Sequence, residues 1–106
     1  MYTNIEKAFQ EIYTVCKDIW QIATDYTWNK FKKDIIYNNN NKLKISIVET
    51  PLDVVRLIIN WTALGYETGK SAQQYYESHK NKIILSQNHA NLMYEIFDKL
   101  NKKIYN

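Results

Sequence analysis

Two histidines, one cysteine and a scatter of carboxylates are the side chains through which this sequence could do chemistry, and their spacing argues against it. His79 and His89 stand ten residues apart. On one helix that puts them on roughly the same face but about 15 Å distant, too far to share a metal ion. Cys16 has no cysteine or histidine one helical turn away. Glu11, Asp18 and Asp25 lie along the N-terminal third with Lys17 beside them. Carboxylates on a helix usually face water, and nothing in the neighbouring sequence buries these enough to shift a pKa for acid or base work. Glycine-rich phosphate loops, nucleophile elbows and Cys-x-x-Cys pairs are absent from the chain. The expectation is a protein that is not an enzyme, with no catalytic residue, metal site or cofactor.

The remaining candidates make contacts. Thr62, Gly65, Gly69 and Ala72 put small residues on one face of a helical stretch, opening it to another backbone or a flat ring. Each glycine costs about 1 kcal/mol against alanine in a helix interior, so the close approach must compensate. Packing against Trp20 or Trp28 would do so, as would a hinge or a partner. Aromatic residues cluster around the same region, and Trp and Tyr anchor interfaces as readily as they fill cores. Trp61, Gly65, Gly69, Ala72, Tyr75 and Tyr76 are therefore the candidate partner contact. Lys30, Lys32, Lys33, Lys42 and Lys44 form a second candidate, a basic tip for an acidic partner or simply a solvated end. Nucleic acid is the lesser option, because Arg56 is the only arginine, whereas phosphate and base recognition favour the planar guanidinium fork.

The elements that must position these residues are helices. A chain of 106 residues with two glycines and one proline has too few breakers for a strand-rich fold, which needs a turn every 8 to 12 residues or so. Ile5, Phe9, Ile12, Cys16, Ile19, Ala23 and Tyr26 alternate steps of four and three, a heptad seam. A first helix is expected over 3–37, ending at the four asparagines 38–41, which favour a loop over 38–50. Within that loop Leu43, Ile45 and Ile47 alternate as in an extended segment, read as a packed connector without a strand to pair with. Thr50-Pro51-Leu52-Asp53 is the strongest local signal: a capping threonine, a proline at the first helical position and an acid at the third. From there a seam runs without a slip from Val55 through Ile58, Tyr76 and Met93 to Ile104.

A helix over 51–104 would be about 80 Å long and the first about 50 Å, so the two could not cover each other. Two architectures follow, both all-α and both one domain over 1–106. Either an antiparallel hairpin leaves its long C-terminal helix straight, its seam paired with another copy as a coiled coil, or the chain folds back near 78–82 into a three-helix bundle. Unbroken register favours the straight helix. Cytoplasmic residence without a membrane span is expected, since no apolar run approaches 18 residues and a single cysteine forms no internal disulfide.

The opening Met1-Tyr2-Thr3 with Lys7-Ala8-Phe9, the Thr50-Pro51-Leu52-Asp53 cap and the long helix carrying Trp61 resemble the phasins, helical proteins that coat polyhydroxyalkanoate granules in bacteria. The resemblance implies an apolar stripe laid on polymer or lipid, self-association and no catalysis. An inhibitor or adaptor docking on one protein, of the kind phages and plasmids carry, is the alternative, and a structural subunit of a homo-oligomer is a third.

Overall fold

Threonine and serine caps divide the chain more often than its apolar pattern suggests. In a computed structural model that describes residues 4–16, 24–37 and 47–104, the protein is all-α. Its helices are α1 (Asn4–Cys16), α2 (Asp25–Tyr37), α3 (Pro51–Thr68), α4 (Ala72–His79) and α5 (Gln87–Ile104), with one turn of 3-10 helix at Lys80–Lys82 before α5. Thr50 opens α3 as its sequence predicts: its hydroxyl accepts from the Asp53 amide at 3.3 Å while the Asp53 carboxylate accepts from the Thr50 amide at 3.1 Å. Thr24 and Ser86 do the same for α2 and α5, accepting from the amides of Thr27 and His89. Ser71 caps α4 and exchanges a reciprocal pair of bonds with Gln74.

The single helix expected over 3–37 is two. On one rod Phe9 and Trp28 would be about 28 Å apart, yet their rings meet edge to face at 6.1 Å. Phe31 joins them from α2, so Phe9, Trp28 and Phe31 form one packed knot. α1 ends at Cys16 and α2 begins at Asp25, while residues 17–23, with the seam positions Ile19 and Ala23, lie outside the described residues.

The straight helix over 51–104 is also overturned. Gly69 ends α3 in the left-handed conformation, φ 79°, and its amide bonds back to the Gly65 carbonyl at 2.8 Å. A second interruption spans 80–86 and overlaps the segment 78–82 where a bend is expected. The seam therefore does not run as one stripe. Val55 and Ile58 on α3, Tyr76 on α4, and Met93 and Phe97 on α5 still point inward, but they meet across a shared core rather than against a second chain. The longest extent of the molecule is 34 Å.

α3 is the axis of this arrangement and touches α1, α4 and α5. Val54, Val55, Leu57, Ile58, Ile59 and Trp61 are all buried. An edge helix buries one stripe about 100° wide, whereas these adjacent positions require cover on two sides. Every residue of the buried core is apolar among the described residues. The connector read as unpaired finds a partner as well: Ile47 and Ile84 form a parallel bridge, with the Val48 amide donating to the Ile84 carbonyl at 2.9 Å. No strand develops from it among the described residues.

Candidate functional site

The small residues of the second half do bring backbones together, though the approaching group is local. A Cβ on Gly65 would lie 2.2 Å from the Lys70 carbonyl oxygen, so the chain turning from α3 to α4 folds directly over this glycine. Trp28 does not fill that role, and Trp20 lies outside the described residues. Gly69 has open space around its would-be Cβ and serves the turn by its positive φ alone.

Beside Gly65 lies a half-enclosed crevice of about 170 Å³ where α1, α3, α4 and α5 converge. Gly65, Ala72, Phe97 and Leu100 line its apolar side, and Glu11 faces it from α1. The Tyr66 hydroxyl donates to Glu11 Oε2 at 2.5 Å, a short charge-assisted bond that orients the carboxylate. Burial first, then that bond and the Glu11 charge, hold the Tyr66 phenol well above its ordinary pKa. The Lys7 ammonium lies over the ring of the same phenol, 4.8 Å from its centroid. Thr62, on the same wall, has a buried hydroxyl oxygen with no hydrogen-bond partner among the described residues.

Of the six residues read as a partner contact, Trp61, Ala72 and Tyr76 are core, so they present no free surface. Tyr75 is half-buried and belongs to a shelf of contacts on the α3–α4 side. Its hydroxyl lies 2.6 Å from the Thr68 hydroxyl, which also reaches the Leu64 carbonyl at 3.2 Å. His79 stacks obliquely against both Tyr75 and the buried Trp61, at 6.5 and 6.2 Å between centroids. Leu64 and Tyr75 are thus linked through the Thr68 hydroxyl, and His79 is linked to Tyr75 by their stacked rings. Sequence reasoning missed Leu64 because it lies off the seam, and the signal that could have found it is that off-seam position itself.

Lys30, Lys32 and Lys33 are exposed on α2, and the Lys32 ammonium sits 5.9 Å from the Phe9 ring centroid. Lys42 and Lys44 lie outside the described residues. Nearby Arg56 pairs with Asp34 at 2.7 Å, tying α3 to α2.

The groups with reactive potential are placed for structure. Cys16 is fully buried, and burial, reinforced by the Glu95 charge, pushes its thiol up to about 12, so no nucleophilic thiolate forms near neutral pH. Glu77 is held below the ordinary carboxylate range by hydrogen bonds from Lys80 and Tyr94, which makes it an exposed ion-pair member. His79 and His89 belong to separate elements, and among the described residues no three of His, Cys, Asp and Glu gather where a metal could sit. No described helix is long and apolar enough to cross a membrane. Comparison with known protein families, curated proteins and solved structures finds no match to this chain.

Proposed function

We propose that the protein is a non-enzymatic helical adaptor that docks on a single protein partner. The observation that carries this reading is where apolar surface remains once the core has closed. Leu64 is 46% exposed on the aromatic shelf, and Ile47 and Ile84, joined by their bridge, are 51% and 67% exposed. A bundle this small has covered its seam, so apolar groups left outside on braced backbone suit an interface anchor rather than a core. The phasin-like coat and self-association both drew support from a long uncovered stripe. With that stripe folded inward, either would require the bundle to open or to use these smaller exposed spots.

The test is affinity capture from the native cell with wild-type protein, Leu64→Asp and Ile84→Asp as baits. One partner in fixed stoichiometry is expected with wild type and is lost in at least one variant whose helical circular dichroism is unchanged. Flotation of the wild type with lipid droplets or polymer particles, without such a partner, would overturn the adaptor reading in favour of the coat. A defined homo-oligomer with no further ligand would favour the structural subunit.

A further inference from the structure

We propose that the crevice beside Gly65 binds a small primary ammonium compound with a short alkyl body. Its dimensions set the size of the guest. About 170 Å³ corresponds to roughly five or six waters at about 30 Å³ each, the space of an amine with four or so carbons. The floor sets the body: Ala72, Phe97 and Leu100 offer carbon, and the glycine at 65 keeps a side chain from filling the space.

Glu11 sets the charge. Among the described residues it accepts one hydrogen bond, from Tyr66 to Oε2, and makes no ion pair, which leaves Oε1 open as an acceptor on a residue that lines the crevice. An alkylammonium satisfies that oxygen with a charge-assisted bond and lays its chain on the apolar floor. An alkyl carboxylate of the same length would meet Glu11 as a like charge. Lys70 is the one cation on the lining, and its ammonium is engaged 5.9 Å from the Tyr75 ring centroid. Lys7, over the Tyr66 ring, is the resident charge with which the guest competes, so the affinity is modest.

The experiment is a titration of the ¹⁵N-labelled protein with n-butylammonium and, separately, butyrate at matched ionic strength, read by amide chemical shifts. Saturable shifts centred on Gly65, Ala72 and Leu100 are expected with the amine, with a Kd in the low millimolar range, on the order of what five heavy atoms sustain. Glu11→Gln preserves size and can still accept from Tyr66, and it should weaken binding about tenfold or more. The proposal is overturned if the amine fails to saturate by about 100 mM, if butyrate binds as well, or if Glu11→Gln binds unchanged. Should Glu11→Gln lose its folded spectrum, Asn101→Phe replaces it. Asn101 is an exposed residue of the lining, and undiminished binding with a ring over the mouth also overturns the site.

Discussion

The two glycines of the α3–α4 corner do different work, and alanine substitutions separate them. Gly69 has φ 79° and empty space beyond its α-carbon, so Gly69→Ala suffers only left-handed strain, about 1 kcal/mol. Gly65 sits inside α3, where alanine is the better helix former by about 1 kcal/mol. Its Cβ would nevertheless meet the Lys70 carbonyl at 2.2 Å, and a backbone oxygen in a capped turn cannot swing aside as a flexible side chain does. Gly65→Ala should therefore cost about 2 kcal/mol or more in urea denaturation, clearly exceeding Gly69→Ala. A neutral or stabilising Gly65→Ala would mean that the corner is not closed over this residue. The sequence made the close approach legible, because paired glycines inside a helical pattern call for one. It left open what approaches, since that depends on where the chain turns.

Tyr66 carries a pH dependence whose sign follows from its environment. The phenol is held above its ordinary value of 10.0, so between the unfolded and folded values the native state keeps a proton that the unfolded chain has released. Its contribution is fully present below about pH 10 and is lost as pH rises past that point. Urea-derived stability should fall between about pH 9.5 and 11.5, and less steeply in Tyr66→Phe than in wild type. Equal slopes in the two proteins would show that neither burial nor the Glu11 bond holds the proton on Tyr66.

At the scale of elements, hydroxyl caps define the fold more than heptads do. Ser71 accepts from the Gln74 amide at 3.1 Å and its own amide donates to the Gln74 side chain at 2.7 Å. Those bonds let an eight-residue helix begin after only three residues, 69–71, have followed the end of α3. Ser71→Ala should cost about 1 kcal/mol, similar to Thr50→Ala, by chemical denaturation. A Ser71→Ala protein as stable as wild type would show that α4 is held by Tyr76 in the core alone. Thr50-Pro51-Leu52-Asp53 was readable because proline and asparagine mark the boundary around it. Gly69 followed by Ser71-Ala72-Gln73-Gln74 holds an equally explicit stop and start, yet the unbroken three-four spacing outweighs it on a first reading. The spacing survives because inward residues recur at helical intervals on every segment, whether or not the segments are collinear. Leu57 and Ile59 escaped the seam for a related reason: a central helix is covered on two sides, and a single stripe cannot register that.

For the whole molecule, the competing architectures differ most in size. A rod about 80 Å long would have a radius of gyration of about 23 Å. The folded arrangement has 12.9 Å over its Cα atoms, the value expected of a compact domain of this length. Small-angle scattering should accordingly return a radius near that of a globule, with a distance distribution that ends far short of the rod. Association is a separate question with its own readout. A seam buried against a second chain would make the melting temperature climb with protein concentration, because dissociation and unfolding are then linked. A core that one chain closes by itself gives a melting temperature indifferent to concentration. Ile47, Ile84 and Leu64 are separate exposed residues, not the continuous stripe that a coiled-coil pairing of two copies would bury. The expected outcome is a compact scatterer sedimenting as a single chain, with one melting temperature across about a hundredfold range of concentration. An elongated particle, or a melting temperature rising across that range, would return the seam to the surface and with it the case for a coat.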